Sequence, residues 1–143
     1  GASATRERGA GFHKIADEKL DVVAKQTANF DRTQGLNTME NLIQGNPDIK
    51  AVFAHNDEMA LGALQAIQSS GRDVLVVGFD GNEDAMTSIR NGNLSATVAQ
   101  QPEKIGQLAV QAGADVLQGK KVDKKIPVPL KLVTEENIED SSE

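Results

Sequence analysis

Short apolar runs alternate along this chain with longer segments in which apolar residues recur every three or four positions. The runs are rich in Val, Leu and Ala, and they predict β-strands at residues 20–24, 51–54, 74–77, 94–99 and 127–133. The periodic segments predict helices at residues 3–17, 34–44, 57–69, 83–90 and 103–117. Strands and helices that alternate over short connections are typical of an α/β fold, a doubly wound parallel sheet with helices on both faces.

Two features modify this simple picture. Pro127 and Pro129 restrict the last strand to the edge of the sheet, because proline cannot donate to a central ladder. The chain also opens on a helix, whereas the first strand of a doubly wound fold is normally central. We therefore expect the chain to be a piece of a larger protein, with its first central strand missing.

The composition excludes several classes of function. The 143 residues carry a formal net charge of −6 and no basic stripe that could neutralise phosphates, so nucleic acid is not an expected partner. The lack of Cys excludes disulfides, thiolate nucleophiles and Cys-ligated metals. No apolar run approaches the roughly 18 residues of a membrane span. No signal peptide opens the sequence, so an export signal would have to lie outside this fragment.

The segment from Ala51 to Gly62, AVFAHNDEMALG, has the pattern of a strand that turns into a helix. Asn56 occupies the N-cap position, and Asp57 and Glu58 follow in the first helical turn, where negative charge suits the helix dipole. Open α/β sheets bind ligands at such corners, beyond the carboxyl ends of the strands. This corner is therefore the first candidate for a binding site.

Polar side chains also follow the other predicted strands, and the carboxyl ends of parallel strands share one edge of a sheet. We expect one rim there, formed by two amides, a carboxylate, two aromatic rings and an arginine from the first helix: Asn56, Gln100, Asp80, Phe30, Phe79 and Arg8. Mixed donors and acceptors satisfy hydroxyl groups, which both donate and accept, and charged partners give the stronger bonds. Phe30 and Phe79 fall in predicted polar loops, which is unusual for so apolar a residue. The pattern favours a polyhydroxylated ligand.

Simpler structural roles are open for the same residues. Asn56 and Asp80 both stand where a helix cap belongs. Each of the two phenylalanines could instead anchor its loop in the core.

Catalytic and metal-binding alternatives have less support. The chain has no G-x-S-x-G, P-loop or G-x-G-x-x-G motif, and His55 could be a general base but has no accompanying nucleophile. The segment from Asp80 opens like a calcium loop, yet it has Ala85 and Asn91 where that loop needs Gly and Glu. The only two histidines, His13 and His55, are on different predicted elements. We expect no enzymatic activity, no cofactor and no metal site.

Several motifs, taken together, resemble those of the ribose-binding proteins, the extracytoplasmic receptors of bacterial sugar ABC importers. The motifs are GASATRERGAGF, ANFDRTQGLN, AVFAHNDEMALGAL, VVGFDGN and ATVAQQP. The resemblance covers nearly the whole chain, and it corresponds to the carboxyl-terminal half of such a receptor. It implies a two-lobed protein that closes over D-ribose or a similar monosaccharide and delivers it to a membrane permease.

The resemblance also implies roles for the residues of the expected rim. Hydrogen bonds to the sugar come from an arginine, an asparagine, an aspartate and a glutamine, which correspond here to Arg8, Asn56, Asp80 and Gln100. Stacking on the sugar ring comes from two phenylalanines, which correspond to Phe30 and Phe79. Gln100 would also lie at the hinge between the lobes.

The same resemblance implies a division of the chain. Residues 1–100 would form the carboxyl-terminal lobe, residues 101–129 would cross to the amino-terminal lobe, residues 130–134 would return as the last strand, and residues 135–143 would be a frayed acidic tail. Without the amino-terminal lobe, the apolar face of the crossing helix would be exposed. We therefore expect association with that lobe or with a second copy of the chain.

One regulatory alternative uses the same fold. The sensor domains of LacI-type transcriptional repressors share it, but a repressor would need a helix-turn-helix ahead of Gly1. The quoted motifs are closer to those of the receptors, so the sugar receptor is the preferred interpretation.

Overall fold

The computed structural model describes residues 3–139. Within this range, helices and strands follow one another in the order α1 Ser3–Lys19, α2 Arg32–Gly45, β1 Ala51–Phe53, α3 Asp57–Ser70, β2 Leu75–Asp80, α4 Glu83–Arg90, β3 Ala96–Ala99, α5 Pro102–Leu117 and β4 Lys131–Thr134.

The strands form one sheet in the order β1-β2-β3-β4. Strands β1, β2 and β3 are parallel, with Phe53 opposite Val77 and Phe79 opposite Val98. Strand β4 runs antiparallel to β3 and lies at the edge of the sheet, in agreement with the edge position that its flanking prolines predict. The predicted α/β fold with a mainly parallel sheet is confirmed, with one antiparallel edge strand.

Helices lie on both faces of the sheet because successive strand residues point to opposite sides. On one face, Phe12 of α1 stacks on Phe53 of β1, with ring centroids 5.3 Å apart. On the other face, Val76 of β2 and Val133 of β4 are buried with the apolar side chains of α3 and α4. The backbones of α2 and α3 approach so closely that a Cβ on Gly62 would lie 2.0 Å from the carbonyl oxygen of Arg32.

Asparagine and aspartate side chains fix the starts of three helices. Each one accepts a hydrogen bond from the backbone N–H three residues further on: Asp31 for α2, Asn56 for α3 and Asn82 for α4. Helix α3 ends at Gly71, whose φ of 67° is the left-handed conformation that glycine adopts without strain. The caps set the directions in which the helices leave the strand ends.

The prediction of a strand at residues 20–24 is wrong. This segment has no strand pairing, and Leu20 and Val23 are more than half exposed. A strand requires a hydrogen-bonded neighbour, and the sheet pairs β1 only with β2. Residues 20–24 therefore have the apolar pattern of a strand but no neighbouring strand to pair with.

Strand β2 also extends further than predicted. It continues through Phe79 and Asp80 because both residues pair with β3. Phe79 therefore lies in a strand, and the prediction that it lies in a polar loop is wrong.

Helix α5 and the segment after β4 differ in how deeply their side chains are buried. No side chain of α5 is buried, whereas Ile138, beyond β4, is 3 % exposed and packs in the core. The expected fraying of the tail therefore does not apply to residues 135–139, and residues 140–143 lie outside the described residues. No helix within residues 3–139 is long and apolar enough to cross a membrane.

Candidate functional site

The carboxyl ends of β1, β2 and β3 lie at one edge of the sheet because the three strands are parallel. Asn56 begins α3 just after β1, Asp80 ends β2, and Gln100 follows β3. We use the term rim for these three residues together with Arg8, Phe30 and Phe79. Three pairwise contacts link its members.

The first contact is between Arg8 and Phe79. The guanidinium carbon of Arg8 lies 3.7 Å from the centroid of the Phe79 ring, and Arg8 Nη1 donates to the carbonyl oxygen of His55 at 2.8 Å. These contacts bring α1 to the strand ends. Phe79 is only 6 % exposed, so its ring is a buried support beneath the arginine.

The second contact is between Asn56 and Phe30. Asn56 Oδ1 accepts from the backbone N–H of Met59 at 3.0 Å, as expected of a cap, and Asn56 Nδ2 donates to the carbonyl oxygen of Phe30 at 3.3 Å. The capping role and a binding role are compatible, since an amide group can make four hydrogen bonds and these contacts use two.

The loop before α2 presents the Phe30 ring to the outside. Asn29 and Phe30 both have left-handed backbone conformations, with φ of 50° and 60°, which are uncommon for residues other than glycine. The Phe30 side chain is 44 % exposed. The bond from Asn56 to the Phe30 carbonyl therefore holds a strained turn that displays an aromatic ring at the rim.

The third contact is between Asp80 and Gln100. Gln100 Nε2 donates to Asp80 Oδ1 at 2.8 Å, and the backbone N–H of Gln100 donates to the carbonyl oxygen of Asp80 at 2.9 Å. Asp80 does not cap a helix, because Asn82 caps α4. The side-chain hydrogen bond uses one oxygen of the Asp80 carboxylate. The other oxygen takes no part in this contact and can accept hydrogen bonds from a ligand.

Sequence reasoning missed the role of a neighbouring carboxylate. It assigned Asp57 to the helix dipole, but the side chain is fully buried and accepts hydrogen bonds from Gly81, Asn82 and Thr97. Burial raises the pKa of the Asp57 carboxyl, and the hydrogen bonds oppose this shift. The N-terminal position of Asp57 in α3 explains its charge equally well, so the sequence carries no separate signal for the buried contacts.

His55 follows β1 and lies beside the rim. Burial lowers its pKa, and the positive charges of Arg8 and Lys25 and the nearby His13 lower it further. Its carbonyl oxygen accepts the hydrogen bond from Arg8 Nη1.

A cleft of about 550 Å³ lies between α1 and the sheet and adjoins the rim. Arg8 and Phe79 line one part of it, and the rest is mainly apolar, with Phe12, Ile15 and Phe53 among the lining side chains. An apolar cleft leaves the hydroxyls of a polyol without partners. Among the described residues, no three His, Cys, Asp or Glu side chains group closely enough to hold a metal ion.

Comparison with known proteins places this geometry in a family. Residues 1–121 match the family described as periplasmic binding protein domain. A ribose import binding protein, RbsB, of Bacillus subtilis is 71 % identical over 135 residues, which cover 94 % of this chain and 44 % of that protein. The chain thus spans less than half the length of this relative.

Solved structures agree with the sequence match. A periplasmic ribose ABC transporter protein of Conexibacter woesei has a TM-score of 0.93 at 28 % identity, over 99 % of this chain and 49 % of the other. A periplasmic solute-binding protein of Actinobacillus succinogenes with bound D-allose has a TM-score of 0.90 at 30 % identity. The match covers 94 % of this chain and 50 % of the other. The chain belongs to the periplasmic binding protein domain family.

Proposed function

We propose that this chain is the carboxyl-terminal sugar-binding half of the solute-binding component of an ABC importer. It binds D-ribose or a closely related sugar at the rim, without catalysis. The observation that carries the proposal is the meeting of three parallel strand ends, which place an asparagine, an aspartate and a glutamine at one edge of the sheet with Arg8 beside them.

The chemistry of the rim suits a monosaccharide. Asp80 offers a charged acceptor, Arg8 a charged donor, and the amides of Asn56 and Gln100 offer both kinds of group. The exposed ring of Phe30 supplies an apolar surface for the C–H groups of a sugar. Such a site distinguishes sugars by the positions of their hydroxyl groups, because an analogue that lacks one hydroxyl leaves a polar group of the site unpaired.

The relatives point to the same class of ligand. The Bacillus subtilis relative is named for ribose import, and the Actinobacillus succinogenes structure holds D-allose. By this analogy the partner of the whole protein is a membrane permease, and the location is extracytoplasmic, either periplasmic or lipid-anchored at the cell surface. No observation favours the repressor alternative.

A second lobe completes the proposed site. Residues 1–100 form one lobe, residues 101–129 cross to the amino-terminal lobe, and residues 130–134 return. Sugar favours the closed arrangement because only there do both lobes contact it. The solvent exposure of the α5 side chains agrees with a surface that another lobe or another copy covers.

Calorimetric titration with the two enantiomers of ribose tests the proposal. D-ribose should release or absorb heat with a saturable isotherm, and L-ribose should bind at least about tenfold more weakly, because its hydroxyls cannot all reach the same partners. Equal responses to both enantiomers, or none to either, would contradict specific binding by this chain.

A matched pair of variants locates the binding. Asp80→Asn at the carboxyl end of β2 should weaken D-ribose binding by about tenfold, as expected for loss of a charged acceptor. Asp73→Asn changes an exposed aspartate that precedes the same strand, at the opposite edge of the sheet, and should leave the affinity unchanged. Equal losses in both variants would place the ligand away from the rim.

A further inference from the structure

We propose that Asp57 is a positioning residue of the sugar site. Its buried carboxylate ties together the start of α3, the end of β2 and the interior of β3 and so places Asp80 and Gln100, although Asp57 itself does not contact the sugar. This inference rests on the proposed function for its effect on binding, whereas its effect on the ligand-free rim can be measured independently.

Each oxygen of the carboxylate is used. Asp57 Oδ2 accepts from the backbone N–H groups of Gly81 and Asn82, both at 2.8 Å. Asp57 Oδ1 accepts from the hydroxyl of Thr97 at 2.7 Å. Asp57 and Thr97 are both fully buried, so loss of the bond between them would leave the Thr97 hydroxyl buried and unpaired. The bonds from Gly81 and Asn82 are partly buried.

The three partners belong to the segments that carry the rim. Asp57 directly follows Asn56, and the bonds reach the two residues after Asp80. Thr97 lies in β3, three positions before Gln100. One side chain therefore joins the start of α3, the end of β2 and the interior of β3, the segments that lead to Asn56, Asp80 and Gln100.

The backbone beyond β2 needs such a restraint. Asp80 has a φ of 125° and Gly81 a φ of 79°, and an aspartate in that region of backbone space persists only when its surroundings hold it there. The two hydrogen bonds to Asp57 fix the peptide groups immediately after Asp80. They thereby fix the direction from which the Asp80 side chain meets Gln100.

The fold also leaves room for the carboxylate. A Cβ on Gly78 would lie 2.2 Å from Asp57 Oδ1, which is inside contact distance, so β2 can accommodate the buried oxygen only with glycine at this position. The space left by the missing side chain of Gly78, together with the hydroxyl of Thr97, forms a cradle for the Asp57 carboxylate.

Two substitutions of Asp57 separate positioning from mere stability. Asp57→Ala removes all three acceptor contacts, whereas Asp57→Asn keeps one side-chain oxygen for the amides of Gly81 and Asn82. Met39→Ala is the matched control, because Met39 is 1 % exposed in α2 and its truncation lowers stability through a cavity outside the rim. Thermal unfolding ranks the loss of stability in the three variants.

The first readout is the NMR spectrum of the ligand-free chain. Asp57→Ala should shift the Gly81 and Asn82 amide signals, speed their hydrogen exchange, and move the side-chain amide signals of Gln100. Asp57→Asn should retain most of the wild-type pattern, and Met39→Ala should leave the Gln100 signals in place. Unchanged Gln100 signals in Asp57→Ala would overturn the proposal.

The second readout is D-ribose affinity. We expect about a tenfold loss or more in Asp57→Ala, a smaller loss in Asp57→Asn, and no loss in Met39→Ala at a comparable drop in melting temperature. An equal loss of affinity in Met39→Ala would mean that Asp57 affects binding only through the stability of the fold, and it would overturn the proposal. Failure of the wild type to bind D-ribose would count against the proposed function alone, because the ligand-free spectra still decide the positioning role.

Substitution of Thr97 keeps the test decisive if Asp57→Ala does not fold. Thr97→Val removes only the hydroxyl that donates to Asp57, and Thr97→Ser retains it. Displaced Gln100 signals in the valine variant with wild-type signals in the serine variant would support the positioning role. Identical spectra for both variants would contradict it.

Discussion

The guanidinium group of Arg8 covers the ring of Phe79, with 3.7 Å between the guanidinium carbon and the ring centroid. The same guanidinium donates to the carbonyl oxygen of His55 at 2.8 Å. Helix α1 is thereby joined to the ends of β1 and β2 by one side chain. A planar cation that stacks and donates at once cannot be replaced by an ammonium group.

Arg8→Lys should therefore weaken both binding and the attachment of α1. We expect D-ribose affinity to fall by about tenfold and the free energy of unfolding by about 0.5–1 kcal/mol, the usual worth of a cation–π contact. Calorimetry and urea denaturation measure the two effects. Arg6→Lys on the same helix is the control, and an equal loss of affinity in that variant would show that the helix, rather than the Arg8 contact, is responsible.

Gly78→Ala should be strongly destabilising. The added Cβ would lie 2.2 Å from Asp57 Oδ1 and 3.2 Å from Ala60 Cβ, so the buried carboxylate would have to move. We expect a loss of about 2–4 kcal/mol in the free energy of unfolding, measured by denaturation followed by far-ultraviolet circular dichroism.

Gly106→Ala is the matched control for that substitution. Apart from the adjoining residues and the backbone of α5 itself, no described atom lies within 4 Å of a Cβ at this position, and alanine favours a helix over glycine by up to about 1 kcal/mol. Its stability should be unchanged or higher. Comparable destabilisation in both variants would mean that the cradle around Asp57 is not as described.

Acid should weaken the fold through His55. Its folded-state pKa lies below the ordinary value because burial and the charges of Arg8, Lys25 and His13 disfavour the charged ring. The unfolded chain then takes up the proton first, so the free energy of unfolding falls as the pH drops below about 6.5.

Urea denaturation at about pH 7.5 and about pH 5.5 measures this effect. The wild type should lose more stability between these two values than His55→Gln, which has no ring to titrate. A ring signal of His55 that titrates at or above the ordinary histidine pKa would contradict the lowered pKa.

The exposed face of α5 should mediate association. Val110 is 76 % exposed and Leu117 90 % exposed, and no side chain of this helix is buried. We expect the chain to self-associate, or to bind the amino-terminal lobe when that lobe is supplied, because contiguous exposed apolar surface is typical of an interface. Analytical ultracentrifugation measures both.

Val110→Lys should reduce this association without lowering the melting temperature, since the side chain makes no buried contact. Gln107→Lys, at an exposed polar position of the same helix, is the control for added charge. A wild type that sediments as a compact monomer at high concentration and also fails to bind the amino-terminal lobe would contradict the proposed interface.

The sequence predicted the fold class because the alternation of apolar runs and periodic segments is local. The pattern placed α3 closely, since Asn56 is a capping residue at its start. It also placed α4 closely, although the cap of that helix is Asn82 and not Asp80, the residue for which a capping role was open. It failed at residues 20–24, where an apolar run has no strand to pair with. Pairing is a property of the neighbouring chain and cannot be read from the run itself.

The members of the candidate site could be predicted largely because most of them follow the carboxyl ends of predicted strands. The contacts of Arg8 with Phe79 and of Gln100 with Asp80 join residues that the sequence had assigned to one rim. The burial of Phe79 and the three bonds of Asp57 depend on how β2 and β3 align. That alignment has no local signature, which is why Asp57 was assigned to the helix dipole alone.

The most direct test of the account is a titration of the labelled chain with D-ribose, followed by the backbone amide signals in NMR spectra. The method suits a chain that contains no Trp or Tyr. We predict saturable shifts concentrated at Arg8, Phe30, Asn56, Asp80 and Gln100. Shifts concentrated along the apolar cleft beneath α1, or a well-dispersed spectrum that D-ribose leaves unchanged, would contradict sugar binding at the rim of this chain.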